Sequence, residues 1–336
     1  MKNKYTTLTI LMAFVSFGLF QQCTTNDSIF DEFPEGTHFE RLQDVHDALI
    51  GMSNDTIIFQ WDDTEQDTTF FTPEGAQIFL PNLSGGGGSG SGNGDGGAPY
   101  TVKLIELYNR GDMIRYNVQS FWHENGTDKA LVSGGMLHLT IYDANGQELE
   151  GTPGGIYAKI PNRTDADGYF DSMFPFIGIP MMQPSGTYVD SYWINHGTDA
   201  EVTYDPNEGQ DGKYTIYNLL KGWNQPGADY TAETEQTQFS AMANPLPQDY
   251  SDTEIFFVST DHTVVVALTM VDGFYLKTID QSIPKGIEGS LIAISVKSGQ
   301  LYFGKQDVQI SGDDAFEVNM AQGSIEDLLT LLNSLD

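Results

Sequence analysis

The sequence predicts a mainly β protein with two antiparallel β-sandwich-like domains, a short N-terminal helix and a C-terminal amphipathic helix. From residue 56 onward, apolar and polar residues alternate in many short segments, as they do in half-buried strands. Turn residues separate these segments, and Asn-Gly within 143–148 is the strongest hairpin signal among them. Repeated short strands of this kind favour an antiparallel sandwich over β-α-β units.

The N-terminal segment has the order of a secretory signal. Lys2 and Lys4 precede an apolar run at 8–20, which is too short to span a bilayer. The single cysteine of the chain, Cys23, comes soon after this run. The arrangement resembles bacterial lipoprotein signals, so we expect residues 1–22 to be removed and Cys23 to be lipidated. The alternative is an ordinary secreted protein with an unpaired cysteine near its end.

An amphipathic helix is predicted within residues 37–51. Thr37 and Glu40 have the spacing of a capping box, and apolar residues then recur at helical spacing. Gly51 occupies the position that commonly follows a helix. His46 lies on this helix, and we expect it to be a surface or packing residue.

Two groups of strands follow the helix. In the first group, strands are predicted at 56–61, 68–72, 76–80, 100–108, 113–121, 136–143 and 156–160. Residues 165–235 then form a long connection followed by three strands, and a polar segment with two prolines separates them from the second group. The predicted organisation is a signal peptide at 1–22, a flexible tether at 23–36, a first domain at 37–235 and a second domain at 236–336.

A glycine-rich segment at 84–97 interrupts the first group of strands. A phosphate-binding loop would need a Lys-Ser or Lys-Thr pair and a following helix, and the sequence has neither here. We therefore predict a flexible loop that joins two strands.

The C-terminal residues predict the second helix. Ser324 is a suitable N-cap, and the residues after it form one apolar face. That face consists of Ile325, Leu328, Leu329, Leu332 and Leu335. The helix is expected to cover an edge or a face of a domain.

The charge of the chain excludes one class of partner. Forty-seven acidic residues against 15 basic ones give a formal charge of −32. A field of this sign repels nucleic acid and anionic membrane surfaces, so we expect no nucleic-acid partner. The excess of acidic residues either forms a solvated acidic surface or attracts divalent cations and basic partners.

With these strands in place, five segments resemble a known β-sandwich module. Residues 72–83, "TPEGAQIFLPNL", are similar to the start of the module shared by zonula occludens proteins, netrin receptors and ankyrins. Residues 105–121, 131–149 and 156–162 look like its version in lipoproteins of certain Gram-negative envelopes, and 283–304 resembles the second β-domain of those lipoproteins. The resemblance implies a sandwich fold and an envelope location. It implies no activity, because the family has none established.

The residues that carry this resemblance have a structural interpretation. Asp112 is expected in a turn that leads into a strand, where its carboxylate can accept backbone N–H groups. Residues 133–135, Ser-Gly-Gly, suit a bulge or a close approach of two backbones. Glu106 is expected to pair with Arg110 or Arg115. These residues are therefore predicted to belong to the framework, with a ligand site as the alternative.

The sequence contains no motif for catalysis. The six histidines form neither His-Glu-x-x-His nor His-x-His, and no Gly-x-Ser-x-Gly elbow occurs. We therefore predict that the protein is not an enzyme. Aromatic residues are candidates for stacking on sugars, although aromatics in sandwiches more often lie in the core. The residues considered are Trp122, Tyr192, Trp193 and Trp223.

Two acidic turns are candidates for calcium, the only cofactor that the sequence suggests. Calcium loops place oxygen ligands at alternating positions around a turn. The first candidate has Asp165, Asp167 and Asp171, and the second has Asp205, Asn207 and Asp211. The alternative is that both are ordinary acidic turns.

These observations predict a non-catalytic outer-membrane or cell-surface lipoprotein with a binding or scaffolding role in the envelope. The lipid on Cys23 would be its membrane contact, on the periplasmic side or at the cell surface, and an envelope protein or a glycan its partner. The alternative is a glycan-binding or glycan-degrading surface module that acts on extracellular polysaccharide.

Overall fold

Strands make up half of the protein, and three helices accompany them among the described residues. The computed structural model describes residues 38–53, 55–62, 66–82, 99–124, 127–162, 173–182, 188–197, 200–208, 212–230, 235–245, 250 and 252–335. The prediction of a mainly β protein with short helices near both ends is confirmed.

The described residues contain three helices and many short strands. The helices are α1 (Leu42–Gly51), α2 (Arg110–Arg115) and α3 (Ile325–Asn333). The strands that precede residue 230 are β1 (Ile57–Trp61), β2 (Thr68–Phe71), β3 (Gln77–Leu80), β4 (Tyr100–Leu107), β5 (Phe121–Glu124), β6 (Thr127–Ser133), β7 (Met136–Tyr142), β8 (Tyr157–Pro161), β9 (Phe174–Met182), β10 (Tyr188–Asn195), β11 (Val202–Asp205), β12 (Lys213–Ile216) and β13 (Gly222–Asp229). The later strands are β14 (Gln236–Thr237), β15 (Ser240–Asn244), β16 (Thr253–Ser259), β17 (Val265–Ala267), β18 (Met270–Asp272), β19 (Tyr275–Lys277), β20 (Ile283–Pro284), β21 (Glu288–Lys297), β22 (Gln300–Gln309), β23 (Ala315–Asn319) and β24 (Ala321–Gln322).

The largest sheet contains a small barrel. Its eight strands lie in the order β1-β4-β7-β13-β6-β5-β10-β9, and β9 also pairs with β13. The pairings β13–β6, β6–β5, β5–β10, β10–β9 and β9–β13 therefore close a ring of five strands. The β5–β10 pair is parallel, and the other four pairs of the ring are antiparallel. Closure gives the strands of the ring partners on both sides.

The remaining strands form four smaller sheets. A five-stranded sheet has the order β11-β12-β8-β3-β2, and a second one has the order β17-β16-β21-β22-β24. A four-stranded sheet has the order β18-β19-β15-β23, in which β15 and β23 run parallel. Strands β14 and β20 form a two-stranded pair.

Two clusters of buried apolar side chains hold these sheets together. Residues 39–336 form one compact unit. The first cluster includes Trp61, Tyr214 and Phe257, and so combines residues from before and after position 236. In the second cluster, the apolar faces of α1, α2 and α3 pack together with residues of β16 and β21. Each helix thus contributes to the core through its apolar face.

The prediction of a strand at 113–121 is wrong. Residues 110–115 form α2, Asn117 has a positive φ of 51° after the helix, and strand β5 begins only at Phe121. Asp112 therefore lies in a short helix and not in a turn that enters a strand. Met113 and Ile114 are both buried, although they are consecutive, because α2 packs between neighbouring elements of the core. Tertiary packing here overrides the local alternation.

Helix α1 begins later than the sequence predicts. Arg41 is its N-cap residue, and the Asp44 carboxylate accepts the backbone N–H groups of Glu40 and Arg41, each at 2.9 Å. These bonds hold the pKa of Asp44 below its usual value, even though partial burial opposes them. The predicted capping by Thr37 and Glu40 is therefore wrong, and Thr37 itself lies outside the described residues.

Other local predictions have mixed outcomes. Asp143 Oδ1 accepts the N–H groups of Asn145 and Gln147 at 2.9 and 2.8 Å, which confirms the turn that Asn-Gly predicts. The C-terminal helix is also confirmed, because Ser324 Oγ accepts the Asp327 N–H at 3.2 Å. The described residues between 173 and 230 form five strands, β9 to β13, and not the predicted three.

Candidate functional site

Two surface features differ from ordinary solvated strands, and a buried polar contact lies near the first of them. The first feature, the acidic cleft, is a depression of about 250 Å³ between β1, the β2–β3 turn, β4 and α2. It is lined by Asp55, Ile57, Pro73, Glu74, Glu106, Tyr108, Asn109 and Asp112. Four of these eight side chains are carboxylates, so the cleft is strongly negative.

Hydrogen bonds and one arginine organise the acidic cleft. The Tyr108 hydroxyl donates to Glu106 Oε1 at 2.8 Å, and the Glu106 side chain is buried. Arg115 pairs with Asp112 at 2.7 Å and with Asp55 at 3.0 Å, and so neutralises part of the negative charge. Within the part of the chain that the structure describes, no group of three His, Cys, Asp or Glu side chains is arranged to hold a metal ion. The cleft therefore supplies a concentration of negative charge.

Behind the cleft lies a buried contact between a histidine and a glutamate. His46 Nε2 lies 2.9 Å from Glu254 Oε2, and His46 Nδ1 lies 3.3 Å from the backbone oxygen of Arg115. Both side chains of the pair are 1% exposed. The expectation of a surface position for His46 is therefore wrong, and its position in the packed core is confirmed.

The second surface feature, the aromatic face, lies on the sheet β11-β12-β8-β3-β2. Its rings belong to Phe71, Phe79, Tyr157 and Tyr217. Phe79 and Tyr157 are directly opposed across β3 and β8, with ring centroids 4.2 Å apart and planes inclined by 8°. Tyr157 and Tyr217 follow at 5.6 Å. The three rings thus form a row that crosses the strands.

The ends of the aromatic face are open to solvent. Phe71 is 68% exposed and Tyr217 is 38% exposed, whereas Phe79 and Tyr157 are half-buried. Lys159 lies on the same strand as Tyr157 and donates to Glu208 Oε2 at 2.7 Å. This hydrogen bond raises the pKa of the Lys159 ammonium. Partly exposed aromatic side chains beside polar groups are suited to ligands that have both apolar and polar surfaces.

The sequence did not identify the aromatic face as a site. The alternation of β8 was informative, because Ile156, Ala158 and Ile160 are buried and Tyr157 must then face outward. The tryptophans considered for sugar stacking lie elsewhere. Trp193 and Trp223 are buried, which confirms the core alternative for these two. The Tyr192 side chain lies outside the described residues.

Two of the predicted framework residues, Gly134 and Gly135, lie close to side chains of neighbouring elements. A Cβ atom on Gly135, which has a φ of +112°, would lie 2.9 Å from a ring carbon of Tyr108. A Cβ on Gly134 would lie 2.9 Å from the Pro226 ring. These contacts are with side chains, so the bulge or close approach of two backbones predicted for Ser-Gly-Gly stays a prediction.

Several predicted site residues lie outside the described part of the chain. They are Cys23, the glycine-rich loop at 84–97, and the calcium candidates Asp165, Asp167, Asp171 and Asp211. Asp205 and Asn207 of the second calcium candidate are described. Asp205 Oδ1 accepts the backbone N–H of Asn207 at 2.9 Å, which is the bonding of an ordinary acidic turn. Calcium binding at Asp165, Asp167 and Asp171 stays a prediction.

Comparison with known proteins adds no assignment. No family model matches the chain, and no curated protein matches it significantly. Among the described residues, none of the helices has the length and apolar character needed to cross a membrane.

Proposed function

We propose that this chain is a non-catalytic lipoprotein of the bacterial outer membrane or cell surface, with a binding or scaffolding role in the envelope. The observation that carries the proposal is the N-terminal sequence, in which a basic start and a short apolar run precede the single cysteine. In this proposal, lipid on Cys23 supplies the anchor, and residues 23–36 connect it to the β-rich body.

The body is proposed to contain two β-sandwich-like domains of the kind found in the lipoproteins that the sequence resembles. The grouping of the sheets supports this division. The eight-stranded sheet and the sheet β11-β12-β8-β3-β2 use strands from residues 57–229, whereas the sheets that contain β15 and β16 use strands from residues 240–322. Binding surfaces on such a body need no catalytic group.

Replacing Cys23 with Ser tests the anchor. The variant is expected to leave the membrane fraction, because a lipid on this residue is the proposed membrane contact. The measurement is fractionation after a high-salt wash, together with metabolic labelling by a fatty-acid analogue. Wild-type protein should be labelled and sedimented. A Ser variant that remains with washed membranes would contradict the proposal.

The aromatic face favours a second candidate function, the capture of extracellular glycan. Sugar rings present apolar C–H faces and polar edges, and the row of Phe79, Tyr157 and Tyr217 with the neighbouring Lys159 offers matching surfaces. Phe71 pairs with Gln77 on β3, so its ring lies on the same side of the sheet as the ring of Phe79. Binding along such a row would follow a chain of several sugars.

A glycan panel tests this candidate with matched variants. Purified protein is expected to bind at least one polysaccharide, and Tyr157→Ala is expected to weaken binding about tenfold, or by about 1.4 kcal/mol. Phe274→Ala is the control, because Phe274 is 67% exposed but follows β18 in a different sheet. Equal losses in both variants, or no binding by the wild type, would exclude the aromatic face. Release of shortened sugars would instead indicate a glycan-degrading enzyme.

A further inference from the structure

Exposed apolar side chains are concentrated in one hairpin. Strands β18 and β19 are joined by a tight turn, in which Gly273 has a positive φ of 63°. Met270, Val271 and Phe274 of this hairpin are 48, 54 and 67% exposed. They are three of the nine large apolar side chains that are exposed among the described residues, yet they fall within five consecutive positions. Such a concentration marks an interaction surface, and residues 270–274 are named the apolar tip.

Polar contacts behind the apolar tip hold it in place. The hydroxyl of Tyr250, a buried residue, donates to the backbone carbonyl of Phe274. The carboxylate at the tip, Asp272, pairs with Lys277 on β19, so these two charges cancel. The tip is therefore an electrically neutral, apolar projection with a defined backbone, on a chain whose formal charge is −32.

The apolar side chains of the tip point in different directions. Successive side chains of a strand point to opposite faces, so Met270 and Val271, which are neighbours on β18, lie on different faces of the hairpin. Phe274 lies at the turn between the strands. A flat protein surface covers one face of a hairpin, whereas acyl chains surround a tip on all sides. This arrangement favours a lipid surface as the occupant.

The hairpin is held close to the point where the chain enters the compact unit from its N-terminal segment. The Phe39 N–H donates to the carbonyl of Gly299, in the turn between β21 and β22, at 3.2 Å. Three residues before Gly299, the Val296 N–H donates to the Asp252 carbonyl at 2.9 Å. Tyr250, which holds the tip, precedes Asp252 by two residues. Only a few residues of backbone therefore separate the two places.

The length of the N-terminal segment keeps this part of the molecule near the proposed lipid anchor. Residues 23–38 precede Phe39, and a segment of this length spans at most about 55 Å when it is fully extended. A lipid on Cys23 thus gives the membrane surface a high effective concentration at the tip. The formal charge of −32 disfavours a strongly anionic surface, so the surface that suits the tip is zwitterionic.

We propose that the apolar tip docks into the zwitterionic lipid surface to which the chain is anchored. The inference rests on the proposed lipid anchor at Cys23. The anchor holds the chain at the membrane, and the tip fixes the orientation of the β-rich body by placing its three apolar side chains among the acyl chains. The pair of Asp272 and Lys277 then lies at the level of the polar headgroups.

A fluorophore at the tip tests the docking. The lipidated chain is reconstituted in phosphatidylcholine vesicles with Phe274→Cys as the labelled position, because Cys23 is the only other cysteine and its sulfur is blocked by lipid. Lipids that carry a nitroxide on their acyl chains should quench this label strongly, and iodide in the buffer should quench it weakly. The same label on Thr330→Cys, on the exposed side of α3, should show the reverse.

Two charge substitutions make the test specific. Val271→Asp in the labelled chain should lower the ratio of docked to undocked tips by at least about tenfold, because lipid excludes a carboxylate. Ile58→Asp is the matched control, since Ile58 is 57% exposed but lies on β1 of another sheet, and it should leave the ratio unchanged. Equal losses in the two variants would show a general effect of charge and overturn the docking.

The experiment separates failure of the tip from failure of the anchor. Mass spectrometry of the N-terminal peptide shows whether Cys23 carries lipid. If it does not, a tagged chain that begins at residue 24 retains the compact unit 39–336 and is held on vesicles by nickel-chelating lipid, where the same quenching is expected.

Two results at the tip would overturn the inference. The first is a label that iodide quenches freely in both preparations, because the tip would then lie in water. The second is a label that is protected from iodide but not quenched by nitroxide lipid, because a second copy of the chain would then cover the tip.

Discussion

Gly111 shows how a single residue sets the distance between two helices. It lies in α2, where a Cβ atom would overlap the backbone carbonyl oxygen of Leu332 in α3. Backbone atoms cannot rotate away from such a contact as a flexible side chain can. The absence of a side chain therefore allows α2 and α3 to pack closely.

We expect Gly111→Ala to lower the free energy of unfolding by about 1–3 kcal/mol, because the two helices must separate. The measurement is urea unfolding followed by circular dichroism. Gly51→Ala is the matched control, since Gly51 is also helical but has no atom within 4 Å of the added Cβ. Alanine there should raise stability by up to about 1 kcal/mol. Equal effects of the two changes would contradict this account of Gly111.

The residues of the His46–Glu254 contact and of the aromatic face could be predicted only in part. The helical spacing of the surrounding apolar residues placed His46 on a helix. Glu254 follows 208 residues later, so no local sequence pattern connects the two residues. The outward position of Tyr157 follows from alternation in its own strand. Its stacking on Phe79 depends on the pairing of β3 with β8, which are separated by many residues and by the glycine-rich segment.

At the scale of elements, helical periodicity predicted both longer helices, but the predicted N-cap was correct only for α3 and not for α1. Helix α3 begins at its predicted N-cap and buries Ile325, Leu328 and Leu332 of its predicted face. The short helix α2 could not be predicted, because six residues are too few to show helical periodicity. The barrel also escaped prediction, because it depends on β9 pairing with both β10 and β13.

Helix α3 should be a main contributor to stability. We expect Leu328→Ala to cost about 2–5 kcal/mol, because Leu328 is completely buried where the three helices meet. Thr330→Ala, on the exposed side of the same helix, should change stability by less than about 0.5 kcal/mol. Thermal melts of the two variants provide the measurement. A small loss for Leu328→Ala would show that α3 is a peripheral element.

At the scale of the whole molecule, charge opposes the compact state. Fifteen basic residues cannot pair with 47 acidic ones, so most carboxylates repel one another across the surface. Some carboxylates are held locally, as in Asp314, whose pKa is lowered by the backbone N–H groups of Ser311 and Gly312 in spite of partial burial. Such contacts do not remove the overall repulsion.

Salt should therefore stabilise the protein at neutral pH. Raising sodium chloride from about 10 mM to about 500 mM shortens the screening length from about 30 Å to below 8 Å. We expect the melting temperature to rise by at least about 2–4 °C, which corresponds to about 1 kcal/mol. The control is the same experiment near the isoelectric point of about 4.1, where the increase should largely disappear. An equal increase at both pH values would point to a general effect of salt on apolar burial.

The position of α1 in the core has a consequence for the order of folding. Its partners β16 and α3 are synthesised long after it, and Glu254 is synthesised 208 residues after His46. At about 5–20 residues per second, this interval lasts roughly 10–40 s. During that time the apolar side of α1 lacks its partners on β16 and α3, and a chaperone can occupy it. Chains that end before α3 are therefore expected to remain sensitive to proteases at their N-terminal end as well as at the break.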